Sequence, residues 1–562
     1  MALADLRNLG DLLWQRVRDT PAAPAYRQYD GSAWVDKTWG QIGEEAGRWQ
    51  AAFTREGLRP GDRVALCLHN RVEWVLFDQA ALALGLVTVP LFFDDRPENM
   101  AWCLNDSGAR LLLLEDAALW PALRHQAKSI ERVICLQGEA AADDKLVPVG
   151  AWLSSGASSP LSRCAAGPGD LCTIVYTSGT TGRPKGVMLS HGNILSNVLA
   201  SMHAIPTYVG DRFLSFLPLS HMFERTCGYY SAIWSGAQTV YARSISLLAD
   251  DIREQQPTVL ISVPRIFERI YSKMCEAMPD GSPKRRLFET AVNAGWRRFR
   301  GEASVLDRIL WPLLNLLVAR KLHARLGGRL RLIVVGGAAF APHLARVFIG
   351  LGLHIIQGYG LTESAPVLAA NRAGDNDPIS VGRALEGIEL RCEDNGELCA
   401  RGPNIMLGYW NNPQATAAII DSDGWLHTGD IAALRGGRVY ITGRVKDIIV
   451  LSNGEKIPPA DAEQAILRDG AFEQVMMIGE GRPKLGLLAV SKIADKKQLL
   501  ARANAQLRDF PGYARICYIE RLEQPWTVEN GLLTPTMKLK RWEIEKQFAR
   551  EIEAMYAPGG VC

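Results

Sequence analysis

No stretch of this 562-residue chain reaches the roughly 18 consecutive apolar residues of a membrane-spanning helix. The nearest approach, residues 309–319, is interrupted by Pro312 and Asn315. No secretion leader is expected either: Asp5 stands where such a leader carries positive charge, and Asp11 and Arg16 break the apolar run soon after. Charge of one sign is scarce, with 63 Lys and Arg against 60 Asp and Glu for a net +3, which gives no case for a dedicated nucleic-acid binder. The eleven cysteines are odd in number, scattered, and never spaced Cys-x-x-Cys, so neither a zinc site nor a disulfide framework is indicated. Reduced thiols in the cytoplasm fit best.

What the chain does have is length for three or four packed units, at about 100–200 residues per domain. It also has one conspicuous loop, Tyr176-Thr177-Ser178-Gly179-Thr180-Thr181-Gly182-Arg183-Pro184-Lys185-Gly186. Apolar runs over 171–176 and 187–189 predict strands on either side of it. Glycines let a backbone turn its amides toward an anion, hydroxyls add donors, and Lys185 adds a positive charge. The stretch therefore reads as a phosphate cradle; a plain surface loop is the alternative. It is not a Walker loop, which needs Gly-Lys-Ser/Thr running into a helix, whereas Arg183-Pro184 intervenes here.

Elsewhere strand and helix signals alternate. Leu6, Leu9, Leu13 and Val17 mark one face of an opening helix, and a polar stretch follows to Trp39. Strands are predicted over 64–68, 87–92, 110–114, 213–217, 239–241, 259–263, 330–335 and 354–356, with a helix over 72–84; residues 138–169 read as a surface connection. Short apolar runs separated by helices imply parallel sheets covered on both faces. The expected fold is an α/β large N-terminal domain of two doubly wound sheets plus a small β-rich subdomain over 380–440, followed by a small α+β C-terminal domain. The boundary is placed after Gly443, giving 1–443 and 444–562.

Further motifs follow in order: Leu217-Pro218-Leu219-Ser220-His221, Gln357-Gly358-Tyr359-Gly360-Leu361-Thr362-Glu363, Gly424-Trp425-Leu426-His427-Thr428-Gly429-Asp430, Gly443-Arg444-Val445-Lys446-Asp447, and Leu533-Thr534-Pro535-Thr536-Met537-Lys538-Leu539-Lys540-Arg541. With the loop at 176–186, this set resembles the adenylate-forming acyl-CoA synthetases, which share a fold with firefly luciferase and the adenylation domains of peptide synthetases. The resemblance implies that Thr177, Ser178, Gly179, Thr180, Thr181 and Lys185 hold the β- and γ-phosphates of ATP. Thr362 is implied at the α-phosphate and Glu363 at the magnesium ion. Tyr359 is implied to stack on adenine beside the turn Gly336-Gly337-Ala338, Asp430 to accept from both ribose hydroxyls, and Arg444 to add a ribose contact. His221 lies, by resemblance, beside the acyl and α-phosphate site, where it orients more than it transfers protons. Lys538 corresponds to the catalytic lysine. Many relatives carry Ser-Gly-Lys where this chain has Thr536-Met537-Lys538, and Lys540 remains the alternative. Lys446 corresponds to a hinge about which a mobile C-terminal domain rotates.

A carboxylate does not acylate a thiol, because its leaving group is oxide; a mixed anhydride with AMP solves that problem. The implied activity is ATP-dependent adenylation of a fatty acid followed by transfer to coenzyme A, with Met222-Phe223-Glu224-Arg225-Thr226 resembling the long-chain branch. Glu224 and Arg225 read equally as a helix-start ion pair. The rivals are a ligase that delivers to a separate carrier protein and a non-catalytic fatty acid binding or uptake protein. One more stretch differs in composition: 281–331 carries twelve Lys and Arg against three acidic residues, with Phe288, Trp296, Phe299 and Trp311 among them. It reads either as peripheral contact with the inner face of a membrane or as a solvated helical insertion.

Overall fold

A computed structural model describes residues 6–138, 143–154, 160–177, 183–279, 281–453, 455–457, 459–508, 510, 512–528, 530–533 and 539–557. The chain divides into two units, Met1–Glu389 with Ala400–Leu426, and Leu390–Cys399 with His427–Cys562. The large unit holds two sheets. In the first, β1 (Leu171–Thr177) lies between β2 (Lys185–Ser190) and the strand Val87–Pro90, with Arg63–Cys67, Leu111–Asp116, Arg132–Gln137 and Leu146–Pro148 beyond. From β1 outward these strands pair in parallel. Their apolar runs are unbroken because both faces are covered: Val64 and Leu66 join one buried cluster, Ala65 and Cys67 another.

The second sheet sets β3 (Arg212–Ser215), β4 (Val259–Ser262), β5 (Leu332–Val335) and β6 (Ile355–Gly360) side by side in parallel. Gln238–Tyr241 and Pro24–Tyr29 extend it in the same sense. Antiparallel neighbours complete both sheets: β2 on β1, β7 (Val367–Ala370) on β6, and Trp34–Thr38 on Pro24–Tyr29. The sheets are therefore mixed rather than purely doubly wound, because short hairpin connections return the chain antiparallel while parallel pairing needs a long crossover. Two stretches for which no strand is predicted hold structure of their own. The polar run before Trp39 is the hairpin Pro24–Tyr29 with Trp34–Thr38, and the connection at 138–169 contains the strand Leu146–Pro148 and a helix, Val149–Ser154, that buries Trp152.

The small unit carries the hairpin β8 (Leu426–Arg435) and β9 (Arg438–Arg444), with Glu397–Arg401 beside β8. Its second sheet orders β10 (Gln474–Ile478), β11 (Leu485–Val490) and β12 (Ile516–Leu522). Side chains alternate between two cores here. Val475, Met477, Leu487 and Ala489 pack with the helix residues Ala465 and Leu499 on one face, while Met476, Ile478, Leu488 and Val490 pack with Ile544, Ile552 and Met555 on the other. No helix among the described residues is long and apolar enough to cross a membrane.

Candidate active site

The expected phosphate loop is carried by the β1–β2 hairpin, whose register sets Tyr176 opposite Gly186 and Thr177 opposite Lys185. Thr177 and Lys185 thus stand together at the loop end of the hairpin; Ser178, Gly179, Thr180 and Thr181 lie outside the described residues. On the far edge of β2 the two-residue strand Gly408–Tyr409 pairs antiparallel, Tyr409 opposite Val187. The Trp410 amide donates to the Gly186 carbonyl at 2.8 Å and the Leu407 amide to that of Met188 at 3.0 Å, which fixes the Tyr409 ring against the hairpin.

That ring joins two expected site residues. The Lys185 ammonium lies 5.1 Å from its centroid, on the face, where the ring quadrupole attracts a cation. At its other end the Tyr409 hydroxyl donates to Glu363 Oε1 at 2.8 Å. Burial, and next the Glu363 carboxylate, push the phenol's pKa well up, so the hydroxyl stays a donor. The Met406 amide donates to the Glu363 carbonyl at 2.9 Å, holding the same residue by its backbone. A cation and a carboxylate are so held on one aromatic side chain without pairing with each other.

Glu363 sits in the single 3-10 turn Thr362–Ser364, which follows directly on β6. The turn closes tightly: the Ser364 hydroxyl accepts from the Leu361 amide at 3.0 Å. A Cβ on Gly360 would lie 1.8 Å from the Pro366 carbonyl oxygen, so only glycine lets the two backbones approach this closely. Tyr359 is placed by the pairing of β6 with β7, opposite Ala369. Gly337, at φ +80°, turns the chain sharply after β5 and leaves itself and Ala338 exposed.

His221 closes a turn, its amide donating to the Pro218 carbonyl at 2.9 Å. Its Nδ1 accepts from the Phe223 amide at 3.2 Å, so in the neutral ring the proton is on Nε2. Phe223 packs against Gly336, which sets the His221 turn beside the Gly336-Gly337 turn. The following segment, Glu224–Tyr230, is π-helical. It does not begin with an ion pair between Glu224 and Arg225, because successive helical side chains diverge by about 100°. Arg225 instead binds Asp78 and donates to Thr88 and Thr173 hydroxyls at 2.8 Å each, wholly buried, with the Trp74 ring 5.1 Å away. Glu224 Oε1 accepts from the Ser215 hydroxyl at 2.6 Å. Burial pushes this carboxyl up to about 8.

In the small unit, the β8–β9 register sets Asp430 directly opposite Arg444, and their side chains meet with Nε 3.0 Å from Oδ1. Asp430 is buried to 4% exposure, and its amide donates to Thr428 Oγ1 at 3.1 Å. Lys446 falls in the turn Val445–Asp447. Lys538 lies outside the described residues. Lys540 precedes the helix Arg541–Gln547, and its amide donates to the Leu532 carbonyl at 2.9 Å. Sequence reasoning missed three of these partners: Tyr409, which a Gly-Tyr-Trp triplet hints at only weakly, the Asp78–Arg225 pair, and the Glu463–Arg541 pair that ties the helices Pro459–Ile466 and Arg541–Gln547 together.

A large α/β unit with mixed sheets, followed by a small α+β unit, is the architecture of the adenylate-forming class of enzymes. ATP-bound MatB from Rhodopseudomonas palustris has this fold, superposing with a TM-score of 0.76 over 97% of this chain and 99% of that one, at 21% identity. The pattern of the AMP-binding enzyme family matches residues 13–410, and that of the AMP-binding enzyme C-terminal domain matches 446–559. The chain belongs to the AMP-binding enzyme family. Among its relatives, "Long-chain-fatty-acid--CoA ligase FadD15" of Mycobacterium bovis is 32% identical over 98% of this chain and 97% of its own. "Long-chain-fatty-acid--[acyl-carrier-protein] ligase AEE15, chloroplastic" of Arabidopsis thaliana is 27% identical over 97% of this chain and 87% of its own.

Proposed function

We propose that this chain is an ATP-dependent ligase that adenylates a long-chain fatty acid and passes the acyl group to coenzyme A, releasing pyrophosphate and AMP. The observation that carries the reading is the Tyr409 ring, which holds Lys185 on its face and Glu363 at its hydroxyl. A cation beside a metal-binding carboxylate is what a magnesium triphosphate needs. Glu363 fits such a metal, because its carboxylate offers hard oxygens beside the Tyr409 hydroxyl. Magnesium is ordinarily held that way, by one or two carboxylates and the phosphates themselves. When bound it supplies neutralisation of phosphate charge. The long-chain FadD15 relative supports the acyl class.

In the first step a carboxylate oxygen of the fatty acid attacks the α-phosphorus. The new P–O bond forms as the bond to the β-phosphate breaks, and pyrophosphate leaves. Thr177, Ser178, Gly179, Thr180, Thr181 and Lys185 hold the departing phosphates and Thr362 the α-phosphate. Tyr359, Gly337 and Ala338 receive adenine; Asp430 and Arg444 receive the ribose. His221 orients the acyl carboxylate. Lys538, or Lys540 in the alternative register, brings positive charge to the bridging oxygen as it develops. In the second step the thiolate of coenzyme A attacks the acyl carbonyl carbon, a C–S bond forms, the C–O bond to phosphate breaks, and AMP departs. Between the steps residues 444–562 rotate about Lys446, exchanging the Lys538 element for 447–456. The working location is the cytoplasm, at a membrane face reached through 281–331.

Incubation with magnesium-ATP and carboxylic acids from acetate to stearate, with and without coenzyme A, tests the reading by product mass. Long-chain acyl thioester and AMP appearing only with coenzyme A is the expected result. The AEE15 relative favours one second reading, a ligase for a separate carrier protein, which predicts acyl-adenylate that accumulates with or without coenzyme A. No AMP from any acid refutes both.

A further inference from the structure

Seven of the twenty large apolar side chains exposed among the described residues fall within positions 305–317. They lie on α2 (Val305–Leu314) and the π-helical turn Asn315–Ala319 that continues it, after α1 (Pro283–Phe299). Val305, Leu306, Ile309, Leu313 and Leu316 are each more than half exposed, Val305 at 73% and Ile309 at 68%. At 100° per residue these positions share one face. Folding of the unit does not require that face to be apolar, since the described residues leave it open to solvent.

The rest of the pair is firmly seated. A Cβ on Gly295 of α1 would lie 1.7 Å from the Gly350 carbonyl oxygen, so α1 meets the helix Pro342–Gly350 backbone to backbone. α2 is fastened to α1 by Arg297 with Asp307 at 2.8 Å, and by the Arg298 guanidinium 5.1 Å from the Trp311 ring centroid. The apolar face is therefore presented by a fixed support.

Its border is positive. The stretch 281–331 carries twelve Lys and Arg against three acidic residues, a surplus of nine in a chain whose net charge is +3, so the remainder is negative. All three carboxylates are taken by arginines, Glu289 by Arg285, Glu302 by Arg300 and Asp307 by Arg297. Arg308, Arg320 and Lys321 stand exposed on or beside the apolar face. Apolar side chains ringed by cations on a rigid helix match an anionic bilayer surface, where the chains enter the headgroup boundary and the cations meet phosphate. A second copy is the poorer occupant, because a two-fold contact through this face opposes one positive border to another.

The geometry points to α2 as the element that docks this protein on anionic membranes, lying in the headgroup plane without crossing. Docking stands on this surface alone; that the enzyme takes its acyl substrate from the same bilayer rests on the proposed function.

The test is sedimentation of the full chain with phosphatidylcholine vesicles, with and without phosphatidylglycerol, at low and high salt and without substrate. Wild type is expected on the anionic vesicles at low salt and released by high salt. Replacing Arg308, Arg320 and Lys321 together by Ser weakens partition about fivefold per residue, on the order of a hundredfold in all. Ile309→Ser with Leu313→Ser, both solvent-facing and so neutral for folding, removes binding to the anionic vesicles. Absence of sedimentation at low salt overturns docking, as do variants that sediment like wild type. A wild-type dimer that becomes a monomer in the Ile309→Ser, Leu313→Ser variant assigns the face to a second copy instead, and retention of an acidic carrier protein with no vesicle binding assigns it to that partner. Thioester formation without sedimentation sinks docking alone; sedimentation without thioester sinks the functional reading alone.

Discussion

Tyr409→Phe isolates the link on which the proposed nucleotide site rests. The variant keeps the ring under Lys185 and removes only the hydroxyl that donates to Glu363 at 2.8 Å. A hydrogen bond to a charged group is worth about 1.5–3 kcal/mol, and about 1.4 kcal/mol is tenfold in rate. Glu363 retains partial contact with solvent, which replaces some of the lost bond and puts the expected loss near the lower end, about tenfold. Tyr409 is a positioning residue, so the loss falls on how Glu363 presents its oxygens. ATP–pyrophosphate exchange, measured as a function of magnesium concentration, reads this directly: kcat/KM for ATP falls about tenfold, and the magnesium needed for half-maximal exchange rises. Tyr409→Ala removes the cation–π contact as well and a buried aromatic, which adds a stability loss of about 3–5 kcal/mol visible in denaturant unfolding. Exchange by Tyr409→Phe that matches wild type at every magnesium concentration would refute the argument, since Glu363 would then be oriented without the phenol.

Asp78→Asn leaves the wholly buried Arg225 cation without its counter-charge and is expected to cost about 3–5 kcal/mol in urea unfolding; a loss under 1 kcal/mol contradicts the buried pair. Glu224 gives a pH signature. Its carboxyl is raised from 4.5 to about 8 in the folded chain, so as pH climbs through that window the unfolded state sheds this proton first and gains on the native state. Wild type should therefore lose stability relative to Glu224→Gln between those values and level off above them; parallel unfolding midpoints across the range speak against a buried neutral acid. Gly360→Ala forces a Cβ onto the Pro366 carbonyl and displaces the Thr362–Ser364 turn. Exchange activity should collapse while binding of the isolated fatty acid persists, and an active Gly360→Ala enzyme would show that the turn tolerates the shift.

Much of this molecule is readable from one sequence because buried parallel strands leave continuous apolar runs between helices. Val64 to Leu66, Val259 to Ile261 and Leu332 to Val335 all register this way. The hairpin Pro24–Tyr29 with Trp34–Thr38 does not, because its outer strand faces solvent and carries Asp36 and Lys37. Tyr409 was hidden for another reason. Its strand is two residues long, and the partner that gives it meaning, β2, lies more than two hundred positions earlier, so neither periodicity nor spacing marks it. The same holds for Arg225, whose neighbour Glu224 is the natural partner on paper, while Asp78 is the partner in space. Local apolar runs placed Thr177 and Lys185 at the ends of the strands that flank the loop, and the Gly-Leu-Thr-Glu motif placed Glu363 just past a strand. Long-range pairing supplied what connects them.

The two cores of the small unit have a mechanical consequence. Among the described residues, each face of the sheet formed by β10, β11 and β12 packs on helices of the same unit, and the clusters on both faces draw only on residues 449–556. A piece with its own complete interior can be turned, or cut away, without exposing anything that held it together. Residues 446–557 expressed alone should thus fold cooperatively and melt as one transition, and the same transition should be recognisable as a separate step when the whole chain is heated.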